Sequence, residues 1–219
     1  MTKNYSLYLA SQSPRRRELL EQIGVGYKTV NIDVNESHIA AEPAEIYVQR
    51  IAFEKAKQGL AVLQKKNYKA DKKSLRHWQS TKKHATIEIV VAADTAVVIG
   101  KEILGKPNSS EQALSMLLQL AGRRHEVMTG VTVSSRTKTV YALSRTTVTF
   151  SDICESDARR YIATNEGIDK AGSYAVQGLA AIFIEKIEGS YSGVMGLPLF
   201  ETAKLLEQMG LNVLPSAKL

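Results

Sequence analysis

The chain has 219 residues, of which 44% are hydrophobic and 23% charged, with a formal net charge of +7. These values fit a soluble globular protein of one large domain or two small ones, able to bury a sizeable core, and no apolar run is long enough to span a bilayer. One cysteine, Cys154, excludes an intramolecular disulfide and a cysteine metal cluster, and it fits a reducing compartment.

Tyr5–Leu9 reads as a strand and Pro14–Ile23 as a helix ended by Gly24. Between them lies Ser11-Gln-Ser13-Pro14-Arg15-Arg16-Arg17. Pro14 suits a first helical position, because its missing N–H is no loss there. A helix N-terminus offers unpaired N–H groups, and hydroxyls with guanidinium forks at that point suit a phosphate. The same residues also read as a plain cap, with Ser13 at the N-cap and the arginines on a solvated face. Tyr27–Asp33 reads as a strand. A second helix starts near Pro43, with Ile46, Tyr47 or Val48, Ile51, Ala52, Ala56, Leu60 and Leu63 at helical spacing.

Lys65–His84 breaks that pattern. It holds seven Lys and one Arg against one Asp, leaving 21 basic and 21 acidic residues elsewhere. The whole positive excess sits in this segment, which reads as an exposed, partly mobile basic insertion. The neutral remainder argues against a nucleic-acid-binding protein. Ile87–Ile99 is too short for a bilayer span and is interrupted by Glu88 and Asp94. The N-terminus lacks the apolar core and cleavage site of a signal peptide, so the cytoplasm is the expected location.

Thr86–Ala93 reads as a buried strand ending at Asp94, with Ala96–Ile99 continuing in β character to a turn at Gly100. A carboxylate at the end of such a strand is either a catalytic or metal-binding acid or a turn cap. Lys106, between Gly105 and Pro107, is either a phosphate-binding ammonium or a surface lysine. Ser109–Leu120 reads as a helix, Val127–Ser134 and Thr139–Thr149 as a hairpin, and Glu155–Thr164 as a helix. Tyr174–Val176 and Ala180–Ile187 read as strands and Pro198–Gln208 as the last helix. Gly172 and Gly178 permit close approach to a ligand, and Gln177 presents a donor and an acceptor in one plane. Gly189–Pro198 reads as another loop for close approach. Alternating strands and helices with one embedded hairpin give an α/β or α+β domain around a mixed sheet.

Together these segments resemble the Maf family of nucleoside triphosphate pyrophosphatases. The matching residues are Ser11–Arg16, Glu36, Glu54-Lys55-Ala56, Ala93-Asp94-Thr95, Leu104–Pro107, His125 through Val131, Asp169–Tyr174, Gln177-Gly178 and Gly196-Leu197-Pro198. The resemblance implies one Maf/inosine-triphosphate-pyrophosphatase-like domain over 1–219, a mixed twisted sheet with two lobes around a central cleft. It implies hydrolysis of a nucleoside triphosphate to the monophosphate and pyrophosphate with a divalent cation, Mg²⁺ or Mn²⁺. Asp94 matches the family's proton acceptor. Glu36, Lys55 and Lys106 match positions associated with metal and phosphates, and Arg15, Thr95 and Gln177 those linked to base choice. On this reading Ser11, Ser13, Arg15, Lys55 and Lys106 bind phosphates, and Glu36 and Asp94 bind the metal. His125 and Arg16 carry weaker expectations of substrate contact, and Arg17 none.

One branch of the family resembles dTTP/UTP pyrophosphatases and has glutamine at the position of Gln177; a 7-methyl-GTP branch has glutamate. Uracil and thymine place N3–H beside carbonyls, which an amide matches, whereas a carboxylate suits the paired donors of guanine. Gln177 therefore favours dTTP and UTP. The resemblance also implies a homodimer, and a regulatory role in septum formation is the competing function. The basic insertion departs from the family, although the motifs on both sides of it are intact.

Overall fold

The computed structural model describes the backbone of residues 5–74 and 86–214, and side chains in these ranges except at 66–74. The strands are β1 (Tyr5–Leu9), β2 (Lys28–Thr29), β3 (Ile87–Ile99), β4 (Glu102–Leu104), β5 (Arg124–Ser134), β6 (Thr139–Phe150) and β7 (Ile184–Glu188). The α-helices are α1 (Pro14–Gln22), α2 (Ala44–Ser74), α3 (Ser110–Leu120), α4 (Glu155–Ile162), α5 (Tyr191–Met195) and α6 (Leu199–Gln208). The strands form one mixed sheet in the order β2-β1-β3-β5-β6-β7, with β4 on β3 outside that path. No helix among the described residues is long and apolar enough to cross a membrane.

β3 organises the molecule. Its side chains alternate between the two faces of the sheet. Val90, Ala92, Ala96 and Val98 pack under α2, against Val48, Ile51 and Ala56. Ile89, Val91 and Ala93 lie on the opposite face with Leu19, Leu20, Leu205 and Leu206, from α1 and α6. Val97 and Ile99 share that face but join a separate cluster with Leu117, Phe150 and Tyr161. Between these two apolar clusters, at Thr95, the packing turns polar.

The strand's edges are used unequally. One side pairs continuously with antiparallel β5, from Val90↔Ser134 to Val98↔Glu126. The other pairs with parallel β1 only through Val91 and with antiparallel β4 only from Val97. Residues 92–96 are left open on that edge. The chain turns away there, Ala10 N–H donating to the Val91 carbonyl at 2.8 Å before α1 begins.

Several elements differ from the sequence reading. Asp94 does not end a strand: β3 runs through it, with Asp94 opposite Gly130. The expected strand over Tyr27–Asp33 is reduced to Lys28–Thr29. Tyr174–Val176 is irregular and follows a 3₁₀ turn at Ala171–Ser173; Leu179–Phe183 is likewise 3₁₀, so β7 begins only at Ile184. The Gly189–Pro198 loop contains α5, capped by Ser190, whose Oγ accepts from the Gly193 N–H at 3.0 Å. Helix α2 continues through Ser74, so the first ten residues of Lys65–His84 extend a helix instead of breaking it. The rest of that segment lies outside the described residues.

Candidate active site

A cleft of about 560 Å³ opens at the unpaired edge of β3. Ser11, Ser13, Arg15, Glu36, Lys55, Asp94, Thr95, Lys106 and Gln177 all line it. These nine residues thus meet at one opening, carried by six separate segments of chain.

Its floor is an ion-paired triad. Lys55 sits on the face of α2 that packs onto β3, flanked by the buried Ile51, Ala52 and Ala56. From there its Nζ reaches Asp94 Oδ1 at 2.7 Å and Glu36 Oε1 at 2.7 Å. The Lys55 and Asp94 side chains are each only 8% exposed, so this is a buried pair whose separation would leave an uncompensated charge. Glu36 arrives on the loop before α2. The Tyr47 hydroxyl donates to the Glu36 carbonyl at 3.1 Å, and Arg50 ties the loop through the Ser37 carbonyl and Glu42.

Burial pushes the Asp94 carboxyl above the usual aspartate range, with Lys55 and Arg16 acting against that rise. Burial also pushes Glu36 upward, but the adjacent Lys55, then Lys106 and Arg16, outweigh it and hold that carboxyl below its ordinary value. The two acids are thereby pushed apart, one toward accepting a proton and one toward staying ionised, the condition under which neighbouring carboxylates take different roles. Asp94 Oδ2 is buried and has no hydrogen-bond partner among the described residues. An acceptor left open in this way points to something received from the cleft.

The corner between β1 and α1 forms the second wall. Ser13 occupies the N-cap but its side chain makes no capping bond. Instead, Ser11 Oγ accepts from the Ser13 N–H at 3.1 Å. The helix start is thus organised by Ser11, and the Ser13 hydroxyl stays available to the cleft. Arg15 lines the opening with only a long ion pair to Asp169, at 3.9 Å. Lys106 projects from the facing loop, 63% exposed, with Nζ 3.8 Å from Glu36 Oε2.

Arg16 is the site residue that the sequence reading undervalued. Its Nε donates to the Gly196 carbonyl at 2.7 Å, Nη1 to Ser11 Oγ at 3.3 Å and Nη2 to Thr95 Oγ1 at 3.4 Å. Thr95 Oγ1 lies 3.0 Å from Thr129 Oγ1, which donates to the Gly193 carbonyl at 2.8 Å. The Thr95 hydroxyl therefore donates to Thr129 Oγ1 and in turn accepts from Arg16. Thr95 acts on the cleft by holding Arg16. His125, by contrast, is buried away from the opening. Its Nε2 lies 2.9 Å from the Tyr174 hydroxyl, and burial lowers its pKa to about 4, so the ring stays neutral. Arg17 is not among the residues lining the cleft; its Nη2 donates to the Gln12 carbonyl at 3.1 Å.

The family profile described as Maf-like protein matches residues 6–209. The chain belongs to the Maf family. A protein of Pseudoalteromonas atlantica named dTTP/UTP pyrophosphatase is 44% identical over 205 residues, covering 94% of this chain and 97% of that one. One of the same name from Methylobacillus flagellatus is 46% identical over 207 residues, covering 94% of each. The structure of the Staphylococcus aureus Ham1 protein is a distant likeness, with 14% identity and a TM-score of 0.43 over 81% of this chain and 90% of that one.

Proposed function

We propose that this Maf protein hydrolyses dTTP and UTP to the monophosphate and pyrophosphate, with Asp94 as the base. The observation that carries this reading is the buried Lys55–Asp94 pair with its free Oδ2, at the foot of a cleft lined by Arg15, Arg16 and Lys106. Water attacks the α-phosphorus, the bond from that phosphorus to the bridging oxygen breaks, and Asp94 takes the water's proton. Pyrophosphate leaves with the electron pair of the broken bond. Its charge is balanced by Lys55, held in place at the floor, and by Arg15 and Lys106 at the opening. The dTTP/UTP names of relatives at 44–46% identity support the substrate class.

Among the described residues no cluster of three His, Cys, Asp or Glu is arranged to hold a metal. That suits Mg²⁺ or Mn²⁺, hard cations that bind through one or two carboxylates and complete their shell with water and substrate phosphates. Asp94 Oδ2 and the Glu36 carboxylate are the donors that fit. A bound cation would supply charge neutralisation at the phosphates.

Gln177 sits at the cleft with its side-chain amide unengaged by the described residues, which supports a role at the base edge. Turnover of UTP, dTTP, CTP, GTP and 7-methyl-GTP with Mg²⁺ or Mn²⁺, read as pyrophosphate release, tests the assignment. The expected order places dTTP and UTP first; a preference for 7-methyl-GTP overturns it.

A further inference from the structure

The segment that carries Gln177 has no regular structure: Ala175–Gly178 is a turn closed by the Gly178 N–H on the Ala175 carbonyl at 3.1 Å. A turn of this kind does not by itself fix where a side chain points. It is held instead by one carboxylate behind it. Glu166 Oε2 accepts from the Leu179 N–H at 2.8 Å, and Oε1 from the Ala180 N–H at 3.3 Å, the first two amides of the 3₁₀ turn that follows. Oε1 also accepts from the Tyr161 hydroxyl at 3.0 Å, and that hydroxyl accepts from the Ala175 N–H at 3.2 Å. Both flanks of Gln177 are thus tied to Glu166, directly on one side and through Tyr161 on the other.

The contact is close. A Cβ on Gly178 would lie 2.3 Å from the Glu166 carboxylate, so the side chain lies against bare backbone. Glu166 is itself positioned by α4, which carries Tyr161, and by Gly167, where a Cβ would fall 2.0 Å from the Ser173 carbonyl oxygen. Neither Glu166 nor Tyr161 lines the cleft. Hydrogen bonds to a charged acceptor are the strong kind; Glu166 accepts three, and with the Ala175 bond to Tyr161 they hold the segment at Ala175, Leu179 and Ala180.

We propose that Glu166, working with Tyr161, is a positioning residue for base discrimination: it fixes the turn that aims the Gln177 amide into the cleft. The proposal rests on the reading of Gln177 as the group that meets the base. Removing the tether lets the amide wander, which weakens recognition of the pyrimidine edge and leaves the phosphate chemistry at Asp94 intact. A misplacement of this kind costs on the order of tenfold or more in kcat/KM.

The test uses Glu166→Ala, Glu166→Gln, Tyr161→Phe, Gln177→Ala and the Glu166→Ala/Gln177→Ala double variant. Each is measured as kcat and KM for UTP, dTTP, CTP and GTP, with a thermal melt of each protein. For Glu166→Ala the expected result is a KM for UTP and dTTP raised roughly tenfold and a preference over GTP reduced by a similar factor, with kcat changed less than about threefold. Glu166→Gln keeps an acceptor and recovers part of the preference. Tyr161→Phe shifts the preference in the same direction by less, and it serves where Glu166→Ala fails to fold. In the Gln177→Ala background, Glu166→Ala adds no further loss of preference. An equal fall in kcat for every substrate, or full additivity in the double variant, overturns the positioning role and leaves the Gln177 reading standing. An unchanged preference in Gln177→Ala overturns that reading and the role of Glu166 with it.

Discussion

Lys55 is where the two uses of a cation in this cleft separate. Lys55→Met keeps the length and apolar stem of the side chain. It removes an ammonium 2.7 Å from both Asp94 Oδ1 and Glu36 Oε1. Asp94 stays buried, already pushed upward, and now faces Glu36 without its nearest positive neighbour. An opposite charge at this range lowers a carboxyl by about 1–3 pH units. Its loss therefore moves the acid limb of the kcat/KM profile for dTTP upward by about that amount. Stability changes too. Breaking a buried pair costs about 3–5 kcal/mol when the remaining partner stays charged. Asp94 escapes part of that cost by taking a proton. Its folded pKa then stands above the unfolded value, so stability is kept at low pH and lost as pH rises. The gap between wild type and variant in urea unfolding widens from pH 5 to pH 8. The assay is pyrophosphate release with Mg²⁺ over pH 5–9, alongside the unfolding series. An acid limb that stays in place while the rate falls equally at every pH refutes the link from Lys55 to Asp94, leaving Lys55 a phosphate ligand alone.

Asp94→Asn keeps the shape and removes the base. Turnover falls by about 10²–10⁴-fold, the usual contribution of a positioned base, while circular dichroism shows the fold retained and the melting temperature drops, because Lys55 loses one of its two carboxylate partners and keeps only Glu36; near-normal activity contradicts the assignment. His125 titrates at about 4 because burial disfavours its charged form. Its stabilising contribution is complete above pH 6.5 and lost as pH falls toward 4, roughly 3 kcal/mol in all. His125→Phe strands the Tyr174 hydroxyl, costing about 1–3 kcal/mol at pH 7, but it has no such titration. Its deficit in urea unfolding shrinks and then reverses toward pH 4, and a constant deficit would contradict the buried neutral ring. Gly172 adopts φ +67, and a Cβ there would meet Val97 Cγ1 at 2.9 Å. Gly172→Ala costs about 2–4 kcal/mol by urea unfolding. It also loosens the bond from the Gly172 N–H to the Gly105 carbonyl beside Lys106, so KM for dTTP rises; an unchanged KM removes that link.

The parts of the site that could be read from sequence are those whose chemistry is local. Ser11, Ser13 and Pro14 mark a strand-to-helix corner within four residues, and Gln177 is a polar group in a run of small ones. Asp94 was legible as an acid of the candidate site but not as a mid-strand residue. Two polar residues in an apolar run look like a strand end, and only the absence of a neighbour beside residues 92–96 explains why they persist inside β3. Arg16 could not be told from Arg15 and Arg17 by composition. Its assignment depends on helix phase and on the Gly196 carbonyl, 180 residues away. The strand expected at Tyr174–Val176 fails for a related reason: its apolar residues fill the cluster around Phe150, and the Ala175 N–H goes to the Tyr161 hydroxyl and the Ala175 carbonyl to the Gly178 N–H instead of to a ladder.

The continuity of β3 determines how the enzyme can grip its substrate. β1 and α1 stand on one end of this strand, and β4 with the Lys106 loop on the other. β5 runs alongside both ends as an antiparallel splint. The two walls of the cleft are therefore not separate bodies joined by a hinge, since drawing them together would require bending paired strands. The opening has a fixed gauge. A nucleotide is measured against it, and adjustment falls to the side chains at the rim, Arg15 and Lys106. If Gln177 meets the base as proposed, a purine, wider than a pyrimidine, has to displace the turn that bears it, because paired strands hold the frame.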